Sequence, residues 1–146
     1  MDAVKNGFTL AELLVTIMII AILSAVSMSG MKGYRERNNF YTSAEQVRDE
    51  VLKAQNLSLA PGENVNYEVT DYSFNIFADG SYAITDSGGT KINEGKATGI
   101  NAEPAATKFY VGTGAADVVS FRVMDAQNPA IFRTISVSST GIVELQ

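Results

Sequence analysis

Residues 13–31 carry no charge, and the run is preceded by a lone carboxylate, Glu12. A helix over it is roughly 28 Å long, enough to cross a bilayer's hydrocarbon core. Over residues 32–60 the helical period continues while the composition turns polar. Phe40, Ala44, Val47, Val51 and Ala54 recur in steps of four and three, a single apolar stripe that Tyr41 and Leu52 widen. Arg35, Arg37, Glu45, Arg48, Asp49 and Lys53 read as the solvated face. Pro61 and Gly62 end the pattern, since Pro cannot continue a helix and Gly accepts the turn that follows. The pattern predicts one helix from about residue 8 to residue 59, apolar over 8–31 and amphipathic over 32–60. Its weak stretch is 27–33, where Ser27, Ser29, Gly30 and Gly33 lower helix propensity.

Beyond Glu63 the period changes to two. Val65, Tyr67 and Val69 alternate, and so do Tyr72, Phe74 and Ile76, with Thr70 and Asp71 as the corner of a hairpin. Asp79-Gly80 is the strongest turn signal and leads to a strand through Tyr82 and Ile84. Gly88, Gly89, Gly95 and Gly99 punctuate a loop-rich stretch with at most a short strand at Lys91 and Ile92. Residues 99–107, rich in Ala and containing Pro104, read as a surface loop. Strands are expected at 108–111, 118–124, 131–138 and 142–145, the last two forming a hairpin through Ser139, Thr140 and Gly141. The fold class is therefore α+β: a long N-terminal helix, membrane half then amphipathic half, packed on an antiparallel β-sheet domain over 61–146.

With 146 residues there is room for one domain besides the helix. Cysteine is absent, so the domain is held by an apolar core without disulfides or thiolate metal sites. Histidine is absent too, which removes the commonest general base and the commonest metal ligand. A net charge of −5 repels phosphate backbones, and nucleic acid is not an expected partner.

Glu12 changes the picture most. An ionisable group deep in a membrane helix costs about 2.5 to 3.5 kcal/mol on insertion scales. One reading places Glu12 near the end of the span, snorkelling to the interface. In another, cleavage after Gly7 makes Phe8 the new α-amine, one helical turn from Glu12. The ammonium of a neighbouring copy then neutralises the carboxylate, and opposite charges attract strongly where water is excluded.

The short polar leader with Gly7, Phe8, Thr9, Leu10, Glu12 and Leu13 resembles the processing signature of type IV pilins and type II secretion pseudopilins. The leader is less basic than usual in that family, Asp2 standing against Lys5, and Ser29 stands near where many members have a kinking Pro. The resemblance implies that a prepilin peptidase removes residues 1–7 and methylates Phe8. It implies that Phe8 and Glu12 set subunit register, with Gly30 and Gly33 supplying the flexibility a Pro gives elsewhere. Implied partners are other pilin or pseudopilin subunits, the inner-membrane assembly platform, and membrane lipid before assembly. The implied location is the bacterial inner membrane, with the leader in the cytoplasm and the β domain outside. From there the subunit passes into an extracellular filament or a periplasmic pseudopilus. Basic residues Lys32, Arg35 and Arg37 beyond the span argue for the opposite orientation by the positive-inside rule; the signature outweighs them. The ending, VSFRV followed by ISVSSTGIVEL, is similar to that of H-type pseudopilins and FimT-like minor pilins, although Ile142 follows the Gly where members often carry a basic residue.

Alternatives are a major pilin, or an exported β-domain binding or adhesion protein held by a signal anchor. An ordinary signal peptide with a cut near Ser27 or Ser29 is a further account of the apolar run, against which Glu12 speaks. No enzymatic activity, cofactor or metal is expected. Asp79, Asp86, Glu94 and Asp117 lie near glycines without EF-hand spacing, and turn chemistry accounts for them. Residues 112–119, GTGAADVV, lack the ending of a phosphate loop. Lys108 beside Phe109 and Tyr110 is a weak instance of a stacking surface, and strand alternation places at least one of the two rings in the core.

Overall fold

The structure is a computed structural model, and it describes residues 9–61 and 69–146, with the side chains of residues 27–32 outside the description. The chain divides into two compact units, Met1–Asn38 and Asn39–Gln146. Helix α1, Leu10–Leu59, begins in the first and ends in the second. Its predicted end at residue 59 is observed; the predicted start at residue 8 lies outside the described residues.

In the second unit the described residues form eight strands: β1 Asp71–Ile76, β2 Ser81–Asp86, β3 Lys91–Lys96, β4 Ile100–Ala102, β5 Ala105–Tyr110, β6 Val119–Asp125, β7 Phe132–Val137 and β8 Val143–Leu145. They make two four-stranded sheets, ordered β3-β2-β1-β5 and β4-β6-β7-β8, with every pair antiparallel. The chain leaves the first sheet for β4, returns for β5, then completes the second.

The α1 stripe is the seam between them. Phe40, Ala44, Val47, Val51 and Ala54 are all buried, in one cluster with Phe74, Ile76 and Ile84 of the first sheet and Phe121, Val123, Ile135 and Val137 of the second. Tyr41 and Leu52 do not join that buried stripe; Tyr41 is exposed and Leu52 half-buried. Phe74 links the sheets, stacked on Tyr82 at 6.2 Å between centroids and on Phe121 at 6.5 Å. Polar bonds fix the helix at its flanks. The Ser43 hydroxyl donates to the Thr98 carbonyl (2.8 Å), and Asn93 Nδ2 donates to Glu50 Oε2 (2.7 Å).

The GTGAADVV loop closes the end of α1. The Gly112 N–H donates to the Ser58 carbonyl at 2.9 Å, satisfying one of the acceptors a helix end leaves open. Gly141 has φ of 82°, and a Cβ there would meet the Gly114 carbonyl and the Gln55 amide. Only glycine serves both demands.

Three expectations are corrected. The corner at Thr70 and Asp71 does not pair β1 with a preceding strand, because β1 has its two edges filled by β2 and β5. Val65 and Tyr67 lie outside the described residues. The loop-rich stretch from Gly88 to Gly99 holds a six-residue strand, β3; it is a sheet edge with little burial, so its residues show no apolar alternation. The surface loop at 99–107 is instead β4 and the start of β5; β4 is only three residues long, and past Ile100 the inward residues Ala102 and Thr107 are small or polar, so no alternation stands out. The Asp79-Gly80 turn and the C-terminal hairpin are as expected.

Phe74→Ala is expected to cost about 3 to 5 kcal/mol, measured by urea unfolding of the full chain in detergent, because the cavity opens where the sheets meet. At the β1–β2 turn, the Lys96 ammonium bonded to Asp79, backed by the Ser81 hydroxyl and N–H, holds the Asp79 carboxyl well below the usual carboxylate range. Such a group contributes stability above its unfolded pKa, about 3.9, and loses it as pH falls through the lower folded value. The protection of the Gly80 and Ser81 amides, taken as exchange relative to the intrinsic rate at each pH, is therefore expected to fall below about pH 3.9, and Asp79→Asn to remove that pH dependence.

Candidate assembly site at the helix start

Thr9 precedes the first helical residue, and its carbonyl accepts the Leu13 N–H at 3.2 Å. Its hydroxyl oxygen accepts the Glu12 N–H at 3.3 Å. In return Glu12 Oε2 accepts both the Thr9 N–H and the Thr9 hydroxyl, each at 2.9 Å. This is a reciprocal capping box, satisfying donors that a helix start leaves open and setting a negative charge at the positive end of the helix dipole. The sequence reading of Glu12 missed this role for Thr9, although Thr-x-x-Glu before an apolar run is its signature.

After this cap the helix is apolar on every side. Leu13, Leu14, Val15, Ile17, Met18, Ile19, Ile20 and Ile22 are each more than half exposed, from 52% to 61%. A soluble helix buries one stripe and leaves the rest polar; one apolar all round belongs in lipid or among other helices. Among the described residues no helix is long and apolar enough to cross a membrane. The described side chains of the apolar run stop at Val26, and residues 27–31, which complete the expected span, lie outside them.

Gly7 and Phe8 lie outside the described residues. Gly30 and Gly33 both fall within α1, which continues through residues 24–33 in the single chain, and the surroundings of Gly30 are outside the description. Around Gly33 there is open space.

The other candidates are not brought together. Asp79 serves its turn and Lys96, Glu94 pairs with Lys91 at 2.7 Å, Asp86 accepts the Thr90 N–H, and Asp117 accepts the Tyr110 hydroxyl. Among the described residues no group of three such side chains is placed to hold a metal ion. Phe109 is buried and Tyr110 exposed, as strand alternation requires.

Residues 3–28 match the family described as the prokaryotic N-terminal methylation motif. Two crystal forms of the type IV minor pilin FimU of Pseudomonas aeruginosa (strain PAO1) share the architecture, with TM-scores of 0.55 and 0.58 at 12% and 14% identity. The alignments cover 73% and 77% of this chain and 91% and 92% of FimU. The chain carries a prepilin-type methylation motif on a pilin-like fold. The comparison with curated proteins gave no match. On the pilin-like fold the matched motif takes in both members of the capping box, Thr9 and Glu12.

Thr9→Ala is expected to speed amide exchange over residues 10–13 about fivefold. Thr9→Ser should restore it, with the second unit unchanged.

Proposed function

We propose that this chain is a structural subunit of a type IV filament or type II secretion pseudopilus, of the minor kind rather than the bulk subunit. It is made as a precursor, cut after Gly7 by a prepilin peptidase and methylated on Phe8. The observation that carries this reading is the exposed apolar helix opening with Glu12, inside a match to the methylation motif and attached to a pilin-like fold. The fold's likeness to FimU, a type IV minor pilin, supports the choice of class.

Its action is assembly rather than catalysis. Before assembly the helix lies in the inner membrane, leader inward and β domain outward. Removing the leader creates an amine at Phe8, and Glu12 of one subunit neutralises the amine of the next. Helix surface leaving lipid is then covered by neighbouring helices, with burial worth about 25 cal/mol per Å². The assembly platform supplies the insertion site. Gly30 and Gly33 let this part of α1 loosen in the filament.

The test is the intact mass and N-terminal sequence of the protein from a host with its prepilin peptidase. A start at N-methylated Phe8 is expected; a start near Gly30, or an intact leader despite active peptidase, overturns the reading. Glu12→Ala is expected to cut incorporation at least tenfold while near-UV circular dichroism of the β domain is retained. Thr9→Ala, which removes the cap and keeps the carboxylate, should assemble far better. Equal losses in the two variants would assign Glu12 to capping alone.

A further inference from the structure

Strand β8 ends the second sheet, paired with β7 on one side and, among the described residues, with nothing on the other. Thr134 and Gln146 exchange both main-chain bonds, each 2.9 Å, and the Ser138 N–H donates to the Ile142 carbonyl at 3.0 Å. In an antiparallel ladder this alternation turns the N–H and C=O of Ile142, Glu144 and Gln146 toward β7 and those of Val143 and Leu145 away. Among the described residues no hydrogen bond reaches these outward groups.

The remaining edges are protected. β5 is covered by residues 115–117, through the Ala115 carbonyl, the Asp117 N–H and the Ala116 bridge to Phe109. β4 donates its Ala102 N–H to the Ala78 carbonyl at 3.2 Å. β3 carries the ion-paired Lys91, Glu94 and Lys96, the charged kind of edge that resists strand addition.

The β8 edge opens onto a cleft of about 530 Å³ whose far wall is the α1 flank at Tyr41, Glu45 and Arg48. Arg133 reaches the same cleft, because it lies opposite the buried Val123 and so on the core face of the sheet. Its guanidinium stands 5.1 Å from the Tyr41 ring centroid. Arg48 and Arg133 are half-buried, and among the described residues neither has an ion-pair partner. Glu45 and Glu144 also border the cleft, but both are exposed. With those two carboxylates in solvent and neither guanidinium in an ion pair among the described residues, the half-buried pair favours an occupant that brings a carboxylate into contact.

We propose that β8 is a docking edge for an extended, carboxylate-bearing segment of another protein, which adds to the second sheet as a new strand. Main-chain bonds to Val143 and Leu145 hold the segment, and its inward carboxylate meets Arg48 and Arg133. A second copy of β8 is a poor occupant. The register that uses both outward residues of both copies sets Glu144 opposite Glu144, and like charges directly opposite repel. This edge lies in the second unit and does not depend on how the first unit assembles.

The test uses the full chain in detergent micelles, with residue-resolved amide exchange by NMR. The probes are capped hexapeptides of alternating Val and Glu, and of alternating Val and Lys. The Val–Glu peptide in excess is expected to slow exchange at Val143 and Leu145 at least tenfold and to leave Glu144, already bonded to β7, unchanged. Leu145→Pro removes an outward donor at an edge position that tolerates proline, and should abolish the effect. The double variant Arg48→Gln, Arg133→Gln keeps the edge and should lose the preference for Glu over Lys. Three results overturn the proposal: no slowing at either amide, equal slowing by the Val–Lys peptide, or protection that grows with protein concentration alone and so assigns the edge to a second copy.

Discussion

The burial of five residues on one face of α1 is the constraint on which the rest of the structure depends. Phe40, Ala44, Val47, Val51 and Ala54 share one buried cluster with the inward residues of both sheets. Ala44 and Ala54 are fully buried in that cluster, and Phe74 stacks on Phe121 across the two sheets. Because the stripe is continuous, the helix is fixed in rotation about its axis. That rotation sets which flank, carrying Tyr41 and Arg48, faces β8.

At the other end of the helix, Glu12 has two calls on its charge. Within the chain it completes a capping box with Thr9; between chains, in the proposed assembly, it meets an amine. An exposed cap bond is weaker than the attraction of opposite charges where water is excluded. The two roles are compatible in sequence of time: the cap holds the carboxylate at the helix start until a stronger partner arrives.

The helix and its end were legible in the sequence because a 3.6-residue stripe and Pro61 act locally. The strands with large alternating residues, β1, β2, β6 and β7, were legible for the same reason. Of β3 only Lys91 and Ile92 read as strand, because an edge strand with both faces wet has no period to show. β4 and the first half of β5 read as loop because Ala and Thr mark burial weakly, whereas residues 108–110 of β5 were legible. The division into two sheets was hidden, since alternation reveals a face and not a partner; the pairings of β1 with β5 and β4 with β6 are set by distant chain. At the helix start Glu12 stood out as a lone charge, while Thr9 hid in the same four residues because attention to charge passes over a hydroxyl. The β8 edge was beyond reach, because which backbone groups face outward depends on register.

The strand order has a further consequence. β4 belongs to the second sheet yet lies in sequence between β3 and β5 of the first. The first sheet gains β5 only after the chain has passed through β4 of the second, and Gly141 near the C-terminus must seat against Gln55 of the helix. The two crossed pairings, β1 with β5 and β4 with β6, close longer loops than the four hairpin pairings and are the slow steps of folding. The two layers are therefore tied by the chain as well as by their shared core, and a force carried by the amphipathic part of α1 reaches both sheets at once.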